Sequence, residues 1–357
     1  MHRYTGRMLA EETQSIGIRR LVAAVGQGPT NGRDLTRDES REALDAIMDR
    51  AATPAQAGAL LLLQRYRGES SDELLGYVDA VRARMRSFAP GVDGMLDVGS
   101  PYDGRAKHVV VSPAASIVAA AAGVPVLMHG ERDMGPKKGI AVGDVIEALG
   151  VEVDAEPEVV AGGMERCGLG YLRQARLLPE FYALKSLREE LGLRTPLHTI
   201  EKIYGPGDAP YRLLGVAHMP YLKHLAPVLK QLGARRTMVV QGMEGHEDVT
   251  TSRGVRIIEI DAESEHEWRF DADEFGLQPA TDDDLAPGDA DRSARMTLAV
   301  LAGSATDSQR DLVLANAALR IKLADRAPDL ASALDAARDA LSSGEALRRL
   351  DAWRRVR

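Results

Sequence analysis

The chain has a single cysteine, Cys167. One thiol cannot make an intrachain disulfide, nor a cysteine cage for zinc. Aromatic residues are scarce, at 4% of the composition, which leaves little material for the base-stacking platforms of single-strand binders. No apolar run reaches membrane length: the longest, Ala114 to Met128, is interrupted by Gly123 and Pro125. The opening segment MHRYTGRMLAEE lacks the apolar stretch of a secretory signal. These absences predict a cytoplasmic protein with no membrane partner. What is present, 45% hydrophobic and 27% charged residues over 357 positions, suits a soluble chain long enough for two lobes.

The net charge of −8 argues against a polyanionic partner, but the acidity is concentrated. Twelve acidic residues fall between positions 261 and 292, where Arg269 and Arg292 are the only arginines or lysines. This stretch reads as an acidic loop. Without it the chain is close to neutral, so a basic face elsewhere stays possible.

The first 90 residues predict helices. Thr36 with Glu39 and Ser70 with Glu73 have capping-box spacing, in which the hydroxyl accepts an early backbone N–H and the carboxylate reaches back. Thr53-Pro54 places a cap and a first-turn proline before AQAGALLLLQRY. The four leucines at 60–63 cover more than one helix face, which predicts a second surface against them: another copy of the chain, or residues 180–195 of the same one. After residue 90 short β-rich runs alternate with helical stretches: Met95–Gly99, Lys107–Val111, Val124–Met128, Leu213–Ala217, Thr237–Gln241 and Val255–Ile260. That alternation predicts an α/β lobe over residues 91–357, a mostly parallel sheet flanked by helices, beside a helical lobe over 1–90. Two closing helices are predicted near 305–324 and 329–349.

Three segments follow predicted strands and carry the candidate chemistry. Gly99-Ser100-Pro101-Tyr102-Asp103-Gly104-Arg105 has glycines that let backbone N–H groups approach an anion, or that simply make a tight turn. His129-Gly130-Glu131-Arg132 leads into Met134-Gly135-Pro136-Lys137-Lys138-Gly139, glycine and cationic residues suited to a phosphate-rich ligand. Gly245-His246-Glu247-Asp248 offers adjacent carboxylates, the hard oxygen donors that Mg²⁺ takes, or a solvated turn.

These segments resemble the anthranilate phosphoribosyltransferase and pyrimidine-nucleoside phosphorylase superfamily, glycosyltransferase family three. The resemblance extends over LTRDESREALDAIMDRAATPAQAGALLLLQRYRGESSDELLGYVDAVRARM (35–85), VPVLMHGERDMGPKKG…DVIEALGV (124–151), LKSLREELGLRTPLHTI (184–200), GVAHMPYLKHLAPVLKQLGARRTMVVQGMEGHED (215–248) and NAALRIKLADRAP (316–328). It implies a phosphoribosyl or other polyphosphate ligand held by Gly99, Asp103, Gly104, Ser112, His129, Gly130, Lys137 and Lys138. It also implies Mg²⁺ on Glu247 and Asp248, Arg188 orienting the acceptor, and a homodimer through the helical lobe. The motifs depart from the family pattern. The GTGGD loop reads Gly-Ser-Pro-Tyr-Asp, KHGN reads Met128-His129-Gly130-Glu131, and the acidic pair is reversed. Proline removes a backbone donor and tyrosine adds bulk. The pattern therefore resembles a divergent branch lacking the GTGGD loop. It implies a transferase whose acceptor is not anthranilate, since Glu131 would repel a carboxylate. The alternative is a non-catalytic nucleic-acid binder using Arg105, Lys107, Arg166, Arg173 and Arg176. Both readings require the three strand tips to meet over a cationic cavity that the Tyr102 ring leaves open.

Overall fold

The computed structural model describes residues 17–357. These divide into two compact units: the chain up to Met85 with Leu178–Tyr204, and Arg86–Leu177 with Gly205–Arg357. The division differs from the sequence boundary at residue 90, because the chain leaves the sheet after its third strand and contributes Leu178–Tyr204 to the helical unit before returning.

In the helical unit, Arg37–Met48, Pro54–Arg67 and Ser71–Arg84 each begin with a capping box, on Thr36, Thr53 and Ser70. The predicted caps are therefore present, with Gln56 completing the third box. Leu60 and Leu61 are buried, while Leu62 and Leu63 are half-buried. The leucine-rich helix packs against Lys185–Leu191 of the same chain: a Cβ on Gly58 would lie 3.1 Å from Leu191 Cδ2. An intrachain helix thus meets part of this apolar surface, in keeping with the alternative of residues 180–195 of the same chain. The buried Glu73 carboxylate joins three segments. It accepts from Leu35 N at 3.1 Å, Gln64 Nε2 at 2.9 Å and Ser70 N at 2.9 Å.

The second unit is built on a seven-stranded sheet: β1 (Leu96–Gly99), β2 (Val126–Gly130), β3 (Leu169–Arg173), β4 (Tyr211–Gly215), β5 (Arg236–Val240), β6 (Val255–Ile260) and β7 (Glu265–Phe270). The order is β3-β2-β1-β4-β5-β6-β7. The first five strands run parallel, and β6 and β7 close the edge antiparallel. This is the mostly parallel, helix-flanked α/β architecture expected. The order reverses between β1 and β4, a switch point whose carboxyl ends form the usual ligand crevice of such sheets. Helices Ser112–Ala121 and Asp307–Leu323 pack together in the apolar core beside the sheet.

Three sequence expectations need correction. Lys107–Val111 is not a strand; it is the approach to helix Ser112–Ala121. Two edge strands, β3 and β7, lie where the sequence pattern predicts none. Residues 261–292 are not an open acidic loop, because they hold β7, short helical turns and the start of helix Ala290–Leu301. Glu265 and Glu267 lie exposed on the edge strand, and two other acids serve as caps: Asp289 accepts from Arg292 N and Asp284 completes the Thr281 box.

Replacing Glu73 by Ala orphans a buried backbone N–H and a buried amide. Chemical denaturation followed by circular dichroism is expected to show a loss of about 2–4 kcal/mol, against a few tenths for its exposed neighbour in the same helix, Asp72→Ala.

Candidate functional site

The site grows from the carboxyl ends of the parallel strands. Gly99 closes β1 beside His129 of β2 and Leu214 of β4. Below it, Asp97 is wholly buried, with Oδ1 2.9 Å from His129 Nε2 and Oδ2 accepting from Arg212 Nε at 3.2 Å. The Tyr102 hydroxyl lies 2.6 Å from His129 Nδ1, and its ring meets the imidazole edge-on with centroids 5.7 Å apart. Tyr102, His129, Asp97 and Arg212 thus form one buried polar chain across three strands. His129 has protein partners at both ring nitrogens, and Gly130 is buried beside it. The tyrosine ring is buried against the His129 imidazole.

The glycines of the first segment serve a close backbone crossing. Gly104 has φ +70°, and a Cβ there would lie 2.4 Å from Gly139 O. Arg105 N donates to Ile140 O at 3.0 Å, Ile140 N to Arg105 O at 2.9 Å and Gly139 N to Asp103 O at 2.9 Å. Asp103 and Gly104 therefore belong to a paired turn against Gly139 and Ile140, while Gly99 ends β1. Gly215 allows a second close approach: a Cβ there would lie 2.0 Å from His246 C, so the segment carrying Glu247 crosses directly over the end of β4.

The three strand tips do converge, through buried side chains. Ser100 Oγ donates to Glu247 Oε1 at 2.6 Å. Asp248 is clamped between two arginines: Arg105 on Oδ2, and Arg320 on Oδ1 at 3.1 Å. Arg320 also donates to Ser112 Oγ at 2.8 Å. Asp248, Arg105 and Arg320 are all buried. The donor set does not fit Mg²⁺. Three of the four carboxylate oxygens are hydrogen-bonded, and the remaining one, Glu247 Oε2, is buried 4.0 Å from His246 Nδ1. Magnesium takes one or two carboxylates with waters and phosphate oxygens, and here a single carboxylate oxygen is not already engaged by a donor of the chain. Among the described residues no group of three or more His, Cys, Asp or Glu side chains could hold a metal ion.

Cationic groups persist at the rim. Lys137 Nζ lies 3.6 Å from both Asp103 Oδ1 and Glu244 Oε2. Lys138 is exposed, 3.6 Å from Asp133 Oδ1. With Ala106, Arg132 and Gly139 they line a depression of about 670 Å³. Glu244, which follows β5, accepts from Lys107 N at 2.7 Å and Ala106 N at 3.2 Å, with His108 Nδ1 at 3.1 Å. Burial pushes its pKa up, but the two backbone donors, Lys137 and His108 together outweigh that and hold it below the ordinary 4.5.

Other expectations are corrected by local pairing. Buried Glu131 accepts from Arg173 Nη2 at 2.6 Å and Ala175 N at 3.0 Å, so its charge is compensated and would not repel an acceptor. Arg173 also meets Asp154 at 2.7 Å, and Arg176 meets Asp154 and, at 2.9 Å, Glu156. The Arg176 hydrogen bond and the two guanidinium charges hold Asp154 below the ordinary carboxylate range, against its partial burial. Arg105 is buried, which leaves only Lys107 and Arg166 exposed among the five residues expected to meet nucleic acid. These five make no open basic stripe. Arg188 is neither a surface ion-pair partner nor an open fork: it is buried in the helical unit and donates to buried Glu201 at 2.5 Å. Sequence reading did not single out Asp97, Arg212, Arg320 and Glu244, each of which lies far along the chain from its partners. The acidic residue immediately before GHED was the one available signal for Glu244.

Asp248→Asn would leave two buried guanidinium groups without their carboxylate. Urea denaturation is expected to show a loss of about 3–5 kcal/mol, equal with and without MgCl₂. Near-native stability of the variant would contradict the clamp.

Comparison with known proteins supports one family over nearly the whole chain. Residues 98–347 match the α/β domain of a glycosyl transferase family, and residues 24–85 match the helical bundle domain of the glycosyl transferase family. Anthranilate phosphoribosyltransferase of Thermomicrobium roseum is 36% identical over 339 residues, covering 93% of this chain and 95% of that protein. The enzyme of that name from Anaeromyxobacter sp. strain Fw109-5 is 37% identical over 314 residues, covering 88% and 92%. Among solved structures, anthranilate phosphoribosyltransferase from Thermus thermophilus matches with a TM-score of 0.82 at 27% identity, over 95% of this chain and 98% of that one. The Saccharomyces cerevisiae enzyme, in complex with PRPP and Mg, matches with a TM-score of 0.80 at 18% identity, covering 96% and 97%, a likeness of fold alone. The chain belongs to this glycosyl transferase family, of helical bundle and α/β domain, together with the anthranilate phosphoribosyltransferases.

Proposed function

We propose that this protein binds a phosphorylated ribose ligand at the cationic rim of its strand tips without Mg²⁺, and does not transfer the phosphoribosyl group to anthranilate. The relatives support the ligand class. The observation that carries the rest is Asp248 held between Arg105 and Arg320. For Asp248 to coordinate a cation, two buried arginines would lose their counter-charge, and each uncompensated buried ion costs several kcal/mol, on the order of 3–5.

Lys137 and Lys138 remain as the charges that would meet phosphate oxygens. A lysine offers a compact charge with rotatable donors, suited to phosphate without demanding one geometry. Tyr102 stands where the resemblance expects a glycine and fills the room next to His129. A ligand therefore sits further out, over Ala106 and Lys137. No side chain here is assigned a proton transfer or a nucleophilic step, and the reading is of a binding protein on a transferase scaffold. Arg188, to which the resemblance gives the acceptor, is already engaged within the helical unit by Glu201.

Calorimetric titration with phosphoribosyl pyrophosphate, in MgCl₂ and in EDTA, tests the proposal alongside loss of anthranilate fluorescence. Binding heat is expected in both buffers, with no turnover. The Lys137→Ala, Lys138→Ala double variant is expected to bind about tenfold or more weakly, the worth of one charge-assisted hydrogen bond. Magnesium-dependent consumption of anthranilate, or silence in both buffers, would overturn it.

A further inference from the structure

The groups around the Glu244 carboxylate make an anion cradle. Two successive backbone N–H groups, of Ala106 and Lys107, point at one carboxylate. His108 approaches one of its oxygens, and Lys137 the other. Convergent backbone N–H groups with a lysine beside them are the donor set that proteins use for phosphate oxygens. Here the chain's own carboxylate fills that set, and the Glu244 side chain is 8% exposed.

The occupant sits on a strained support. Glu244 is a non-glycine residue at φ +55°, ψ +16°, followed by Gly245 at φ +81°. The left-handed region is unfavourable for a residue that carries a side chain. A contact that persists against such a cost is compensated by what it touches. The cradle also opens outward: Ala106 and Lys137 both line the 670 Å³ depression. Swinging Glu244 out would expose four donors to that depression, with Asp103 as the acidic neighbour that Lys137 continues to balance.

We propose that Ala106 N, Lys107 N, His108 and Lys137 form the binding site for one phosphate group of the ligand, and that Glu244 occupies this site until the ligand displaces it. The inference rests on the phosphorylated-ligand reading above and places it on particular donors. Glu244 is then an internal competitor: the site's affinity is reduced by the fraction of molecules in which the carboxylate is docked. It also gives the positive-φ residue after β5 a purpose, since a strained residue can leave its docked position at lower cost.

Inorganic phosphate is the probe, titrated into the intact chain by calorimetry, with the backbone amide signals of Ala106 and Lys107 followed in a labelled sample. Glu244→Ala is expected to bind phosphate about tenfold more tightly than the parent. Glu244→Gln should fall between the two, because its neutral amide still fills the cradle. Adding Lys137→Ala to Glu244→Ala should abolish the gain. Ala106 and Lys107 amides should shift saturably with the same affinity. Circular dichroism checks folding, and the isosteric glutamine variant keeps the test decisive if the alanine variant is unstable. Equal phosphate affinity in parent and Glu244→Gln, or amide signals that stay still, would overturn the proposal. Phosphoribosyl pyrophosphate binding that ignores Glu244 would sink this site alone, whereas absence of such binding in every variant would sink the ligand reading as well.

Discussion

Asp248 and its two arginines are the constraint around which the α/β unit is arranged. Arg105 comes from the loop after β1 and Arg320 from the helix Asp307–Leu323, and the carboxylate from the segment after β5. Three distant stretches converge on one buried charge. Burying an ion is unfavourable unless its counter-charge and hydrogen bonds arrive with it. The loop after β1 therefore cannot stand open while Arg105 remains in place. The paired turn of Asp103 to Arg105 against Gly139 and Ile140 follows from the same anchoring.

The same logic recurs at other buried charges. Glu131 holds Arg173, Glu201 holds Arg188, Asp97 holds Arg212 and Glu244 rests in the amides of Ala106 and Lys107. The chain supplies its own counter-charges. Tyr102 adds volume to this electrostatic closure, and its hydroxyl is satisfied by His129. A scaffold shared with transferases thus carries buried charges that are paired within the chain, while Arg132, Lys137 and Lys138 line the depression at the rim.

Much of the architecture could be read in local patterns. The capping pairs at Thr36, Thr53 and Ser70 act within four residues, so spacing alone reveals them. Strand β6, Val255–Ile260, matched its sequence bounds because its burial nearly alternates between neighbouring residues. β3 was missed because Leu169–Arg173 follows directly on a helix and carries a glycine within it. β7 was missed because an exposed edge strand with Glu265, His266, Glu267 and Arg269 has the composition of a loop. The three motif segments do follow the ends of β1, β2 and β5, and the bulk of Tyr102 is visible in the sequence as a departure from glycine.

Residue type told that Glu247, Asp248, Arg105 and Arg188 carry charge; it did not tell what that charge faces. Local spacing sets helices, caps and strands because those depend on neighbours a few positions away. Whether a carboxylate meets a cation from solvent or an arginine of its own chain depends on partners dozens of residues distant, brought together only when the sheet and its helices close. For that reason the family and the scaffold were legible in the linear chain, while the clamp on Asp248 and the occupied cradle at Glu244 were settled by folding.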